Sequence, residues 1–343
     1  MVNKFTGTAV VFALAGVAAV APSAAAQGLE TLGSRAAGLS AFVAVADDAA
    51  AVVWNPAGLV LGPLFNVSLD LGRLTTAPDG AVEGNSPEGK VATTLIAVGV
   101  PPLGLSYYRI VSTLLEPSGP AADGIPGRKD GQVAVRTLTT SHLGATVLHS
   151  LGDHLTVGTT VKLVRGRAGA DTVGVDSWNE GFDHAEMLDT RGSTTGDLDV
   201  GAMFAAGRLR AGVVVRNVTE PTFDDDATPG TELSLQRHAR AGVAWGDRWP
   251  GMPRTIIAVD ADLTRVEHPA GGRRDIAAGV ERWLRSQRIG IRGGLRASTI
   301  GRARVIASGG GSYAVRAGTY VDAYVAGGDR HTRAWGIAAR LTY

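Results

Sequence analysis

Residues 288–297 read RIGIRGGLRA, a strict alternation with Ile289, Ile291, Gly293, Leu295 and Ala297 on one face and Arg288, Gly290, Arg292, Gly294 and Arg296 on the other. A period of two marks a β-strand, because successive side chains point to opposite faces of the pleat. The same split recurs in Leu155, Val157, Thr159, Val161 and Leu163 against Thr156, Gly158, Thr160 and Lys162. It returns at 197–204, at 257–263 around Asp260 and Asp262, and at 320–325 around Asp322. With its flanks each run reaches about 9 to 12 residues, the length of a tilted strand crossing a membrane. In such a strand the apolar face meets lipid and the polar face lines a lumen.

About fourteen candidate strands follow Leu64, an even number as such barrels require. They start near residues 64, 91, 103, 132, 154, 196, 208, 235, 254, 274, 287, 303, 318 and 333. Short connections fall at Pro101-Pro102, at 150–153, around Gly207, at 247–252, at Arg285-Ser286 and near Arg316. Long ones alternate with them at 74–90, 112–131, 167–194, 218–234 and 265–272. Bacterial outer-membrane barrels segregate short periplasmic turns from long outward loops in this way, and a soluble sandwich has no cause to. The chain ends with Trp335, Ile337, Ala339, Leu341 and Tyr343 on one face. A terminal aromatic of this kind resembles the signal that barrels present to their assembly machinery. The predicted fold is all-β: an antiparallel transmembrane β-barrel of about 14 strands over residues 63–343.

The amino terminus has the three-part layout of a secretory signal peptide over residues 1–26. Met1 to Lys4 are basic, Ala9 to Val20 are nearly all apolar, and Pro22 precedes the small-residue run Ala24 to Ala26. The expected location is therefore the bacterial outer membrane. A net charge of +1 gives no electrostatic footing for nucleic acid. The absence of cysteine removes disulfides, thiolate metal sites and cysteine nucleophiles. Gly accounts for 47 of 343 residues, about twice the usual share. Strand curvature and room for lumen side chains are the expected reasons.

Residues 33–61, GSRAAGLSAFVAVADDAAAVVWNPAGLVL, break the alternation and carry too many alanines for a lipid-facing strand. Asp47 or Asp48 can cap a short helix through Ala49 to Val53, and Pro56 pushes Asn55 out of the helical region, so the helix should stop near Trp54. A compact plug over residues 27–62 is expected. The pattern of Asp47, Asp48, Ala49, five further residues, then Asn55, Pro56, Ala57 resembles the N-terminal hatch of the outer-membrane long-chain fatty-acid transporter (FadL-like) superfamily. The longer run from Gly33 is similar to its branch of PorV-type barrels, accessory proteins of protein secretion. The resemblance implies a fourteen-stranded barrel with its N terminus in the lumen as a gating hatch, to which Asp47, Asp48, Trp54, Asn55, Pro56 and Ala57 belong. It implies passage of hydrophobic small molecules or, alternatively, a scaffold role in export of proteins across the outer membrane. Its expected partners are outer-membrane lipid and lipopolysaccharide, the barrel assembly machinery, and hydrophobic ligands or exported proteins. The transporters carry loop helices that form an apolar groove, whereas the loop 167–194 here is acidic and Gly-rich, with Trp178, Phe182, Met187 and Leu188 as its large apolar groups.

Strand parity assigns Arg136, Lys162, Arg240, Arg288, Arg292 and Arg296 to the lumen, opposed by Asp197, Asp199, Asp260, Asp262, Glu281 and Asp322. Such charges form mutually compensating ladders or line a polar path. His142, His149 and His154 have no metal-ligand spacing, and His142 and His149 fall on opposite faces. No metal, cofactor or catalytic residue is expected, and the chain does not read as an enzyme. Ser141 and His142 point apart on one strand, and Gly309 to Gly311 lack the Lys and Ser or Thr of a phosphate loop.

Overall fold

The computed structural model describes residues 31–76, 88–118, 132–175, 177–188, 192–224, 232–246, 254–266, 272–284, 287–301, 304–329 and 332–343. The signal peptide expected over residues 1–26 lies outside them.

Fourteen antiparallel strands close into one barrel. In chain order they are β1 (Asn66–Thr75), β2 (Glu88–Val100), β3 (Leu103–Ser118), β4 (Gln132–Leu151), β5 (Leu155–Gly174), β6 (Gly192–Ala206) and β7 (Leu209–Arg216). After a small hairpin, β8 (Thr222–Asp224) and β9 (Glu232–Ser234), the wall resumes. It continues with β10 (His238–Gly246), β11 (Thr255–Asp262), β12 (Asp275–Leu284), β13 (Ile289–Ser298), β14 (Val305–Arg316), β15 (Thr319–Gly328) and β16 (Arg333–Thr342). Each wall strand pairs with its neighbours along the chain, and β1 closes the ring on β16 from Asn66↔Thr342 to Thr75↔Arg333. Each begins within four residues of its sequence-predicted start.

Burial follows the alternation. β16 reads exposed, buried, exposed, buried along its length, with Trp335 and Ile337 outward. The outward face carries Leu69, Leu71, Leu105, Leu143, Val161, Ile257 and Val325, each at least half exposed. An apolar surface this extensive is foreign to a water-facing wall.

Three features depart from expectation. Strands β3 to β6 are 16, 20, 20 and 15 residues long, beyond the expected crossing length. Their far ends continue the ladder, as in Gln132↔Gly174, where the outer face mixes Thr137, Thr139, Arg165 and Arg167 with Val133 and Val135. The loop 167–194, acidic and Gly-rich in sequence, holds helix α3 (Trp178–Met187), whose N-cap Ser177 accepts the N–H of Glu180. It lays Trp178 and Phe182 over Val133, Val135 and Leu115. The loop 218–234 contains the β8–β9 hairpin.

Residues 31–59 are buried almost throughout. They include α1 (Ser34–Leu39), α2 (Ala51–Trp54) and the buried part of a 3-10 turn, Pro56–Leu61. α1 packs on β12 to β16 and β1, while α2 and the 3-10 turn pack on β3 to β6. The helix starts at Ala51 rather than Ala49, because Asp48 accepts the Ala50 N–H in a tight turn and its cap position is Ala50. It ends at Trp54 as Pro56 demands: Asn55 is extended and its side chain accepts the Ala57 N–H, capping the next turn.

Candidate functional site

The inward positions of β5 change character along the strand. Gly158 lies against Ala57, Thr160 donates to the Val52 carbonyl, and Lys162 pairs with Asp197 at 2.8 Å and Asp199 at 2.7 Å. Beyond that layer, toward the long connections, Val164 and Ala168 pack with Leu138, Phe223 and Leu235. Phe223 sits on the β8–β9 hairpin, and its ring occupies the space that a side chain at Gly166 would need. One wall thus presents, in order, the buried segment, a charged layer and an apolar patch.

The wall holds the buried segment by charge and by backbone contact. Arg35 on α1 is the centre: its guanidinium donates twice to Glu281 of β12, at 2.8 and 2.7 Å, and also to Asp47 at 2.7 Å and Asp48 at 3.1 Å. Asp47 is held from the other side by Arg210 at 3.1 Å and by Arg254. Two wall carboxylates accept backbone N–H groups. Asp70 takes those of Ser34 (2.5 Å) and Gly33 (3.3 Å), and Asp260 takes those of Phe42 (2.6 Å) and Val43 (3.0 Å). Buried carboxylates bound by guanidinium and amide donors keep their charge at tolerable cost, whereas an unpaired one does not.

Burial alone would raise the Asp47 carboxyl, but Arg254, Arg35 and Arg210 together hold it well below the usual carboxylate range. A depressed value stabilises the docked segment above the unfolded carboxylate pKa of about 3.9. That contribution is lost only as pH falls through the lower folded value. The share of docking stability that Asp47 contributes, read as the difference between the wild type and Asp47→Asn, should therefore be unchanged between about pH 5 and 8. A difference that shrinks on acidification within that window contradicts this assignment.

Glycine admits the segment to the wall. A Cβ at Gly158 would sit 2.5 Å from the Ala57 nitrogen, and one at Gly212 would lie 2.8 Å from Asn55 Nδ2 and 2.9 Å from the Val43 carbonyl. Gly201 would meet Asn55 and Pro56, and Gly279 and Gly294 would both meet the Leu39 carbonyl. Part of the glycine excess thus serves close approach of a second piece of backbone, beyond the strand curvature expected from sequence.

Among the other residues singled out, Trp54 donates from Nε1 to the Leu32 carbonyl at 2.8 Å and lies beneath the Arg216 guanidinium. Asn55 donates to the carbonyls of Val43 (3.1 Å) and Ala202 (3.2 Å). Arg240 pairs with Asp262 at 2.6 Å, Arg292 with Asp322 at 3.2 Å and with Glu281 at 3.5 Å, and Arg296 with Asp275 at 3.5 Å. Arg136 lies 3.6 Å from Glu116 on the extended ends of β4 and β3, partly exposed rather than deep in the lumen. Arg288 is a correction: it stands exposed in the turn before β13, because alternation gives a face but not where the strand begins. His142 is buried, stacked on Tyr108 at 4.1 Å. Arg35, Asp70, Arg210 and Arg254 were missed, as was Arg340, which pairs with Asp322 at 3.1 Å. For Asp70 and Arg210 inward parity was the available signal; for Arg35 there was none.

This closed barrel has the fold of known hydrocarbon channels. The structure of CymD, a monoaromatic hydrocarbon channel, aligns with a TM-score of 0.60 at 12% identity, covering 93% of this chain and 99% of CymD. The toluene transporter TbuX of Ralstonia pickettii aligns at 0.58 and 12% identity, covering 92% and 99%. A FadL homologue of Pseudomonas aeruginosa aligns at 0.58 and 12% identity, covering 91% and 98%. Residues 127–262, less than half of the chain, match the family described as F plasmid transfer operon, TraF, protein. No curated protein sequence matches.

Proposed function

We propose that this chain is an outer-membrane channel for small hydrophobic molecules, exported by residues 1–26, folded by the barrel assembly machinery, and gated by residues 27–62 as a plug. The observation that carries the reading is the layering inside the wall. An apolar patch of Leu138, Val164, Phe223 and Leu235 lies on the long-connection side, and the charge-latched segment lies beyond it. An apolar solute entering from the loop side partitions onto the patch, where each buried CH2 is worth about 0.8 kcal/mol. It then passes when the segment shifts at Asp47, Asp48, Trp54, Asn55, Pro56 and Ala57. The fold shared with hydrocarbon channels supports the same reading.

The test is entry of toluene into vesicles bearing the protein. Phe223→Ala should slow entry about tenfold, the equivalent of 1.4 kcal/mol of lost apolar contact. Deleting residues 33–59 should abolish gating and admit small polar solutes as well. Entry unaffected by both changes, together with co-purification of exported proteins, would instead favour the accessory role in protein secretion.

A further inference from the structure

We propose that the outer face of β3 to β5, just past the apolar band, binds the phosphates of an anionic membrane lipid on the long-connection side. The inference rests on the barrel lying in a membrane and is independent of what passes through it. Tyr107, Leu143 and Leu163 lie side by side on adjacent strands, all exposed. One step toward the long connections, the outward row becomes Thr94, Arg109, Ser141, Arg165 and Thr194. The next outward row holds Arg73, Ala92, Val111, Thr139 and Arg167. The surface passes from hydrocarbon to guanidinium within two residues of strand, the place where acyl chains give way to headgroups.

Two adjoining grooves lie on this face. One, of about 430 Å³, runs beneath α3 and is lined by Arg73, Lys90, Arg109, Arg167 and Phe182. The other, of about 440 Å³, is lined by Tyr107, Arg109, Ser141, Arg165 and Arg167. Glu186 of α3 is the one acid on the first, and Asp171 above them is engaged by His184 at 2.8 Å. Lys90 stacks on Phe182 at 4.0 Å. Among the described residues Arg73, Arg109, Arg165 and Arg167 carry no ion pair, unlike the matched charges inside the barrel.

Four exposed guanidiniums at the edge of a lipid-facing surface call for an anion, and guanidinium matches phosphate oxygens in bidentate geometry. Ser141, Thr139 and Tyr107 add hydroxyl donors. Arg109 and Arg165 flank Ser141 from the strands on either side, two strands and so about 10 Å apart, a span suited to a headgroup with more than one phosphate. The chemistry is that of a phosphorylated glycolipid, such as the lipid portion of lipopolysaccharide.

The experiment compares the wild-type barrel with R109Q/R165Q/R167Q by thermal unfolding in phosphatidylcholine vesicles. One set is plain, one carries lipid A, one carries its dephosphorylated form, and one is supplemented with inorganic phosphate. Lipid A alone should raise the wild-type midpoint by several degrees, and the triple variant should bind it at least about tenfold more weakly. Arg282→Gln, on the outer face at the short-turn end, should behave as wild type. An equal shift in the triple variant, no shift in the wild type, or the same shift from inorganic phosphate or dephosphorylated lipid overturns the proposal. So does wild-type binding that is indifferent to ionic strength, a readout that stands even if the triple variant does not fold.

Discussion

Arg35→Ala is expected to release the N-terminal segment while leaving the wall closed. The substitution removes the common donor of four hydrogen bonds and takes the shared cation from three buried carboxylates, Asp47, Asp48 and Glu281, leaving Asp47 to Arg210 and Arg254 and the fully enclosed Glu281 to Arg292. Removing the sole partner of a buried charge costs about 3–5 kcal/mol, and because these carboxylates keep other partners the loss should lie toward the lower end of that range. The wall has its own ladder of backbone hydrogen bonds, so the loss should fall on the docked segment. Planar-bilayer recordings should show a standing conductance absent from the wild type, with the barrel still folded by circular dichroism. Arg35→Lys should fall between the two, since a lysine keeps the charge but cannot serve Glu281 through a fork. A closed Arg35→Ala barrel of wild-type stability would remove Arg35 from the centre of the contacts that hold the segment.

Gly158→Val should be nearly as damaging for a different reason. Valine favours strands, so for the wall alone the change is mildly stabilising. Its Cβ, however, would stand 2.5 Å from the Ala57 nitrogen and 2.7 Å from the Pro56 carbonyl carbon. Those are backbone atoms, not the movable end of a side chain. Overpacking costs about 1–3 kcal/mol and more where the neighbour cannot yield, so the segment should be displaced. Gly196→Ala, in the neighbouring strand with nothing within 4 Å of the added carbon, is the control. It should remain within about 0.5 kcal/mol of wild type. Equal behaviour of the two variants would mean that residues 56 and 57 do not dock on β5.

The wall was legible because its signal is local. Each strand declares itself over a few residues, and alternation assigns Lys162, Asp199, Arg240, Asp262, Arg292 and Asp322 to one face without knowledge of the fold. What that face meets was not legible. Arg35 and Glu281 lie 246 positions apart and share no periodic pattern. The small residues of the N-terminal segment indicate a compact fill but not its orientation. α3 was hidden for a simpler reason: Ser177 and Glu180 have the S-x-x-E spacing of a helix start, but the acidic, Gly-rich context obscured it. Arg288 shows the limit of parity, which fades at the first turn beyond a strand.

α1 touches both β1 and β16, the first and last strands of the ring, and β14 and β15 beside them. The seam therefore has an inner clasp as well as its hydrogen-bonded ladder. This sets an order of events in biogenesis. The clasp precedes every wall strand in the chain, yet two of its anchor strands, β15 and β16, are the last to emerge. The segment can thus dock on β1 through Asp70 once that strand is present, while its contacts with β12 to β16 wait for the last strands. Completion of the final hairpin then both shuts the ring and locks its contents, so a shortened last strand should leave a wall that is unsealed and unfilled together.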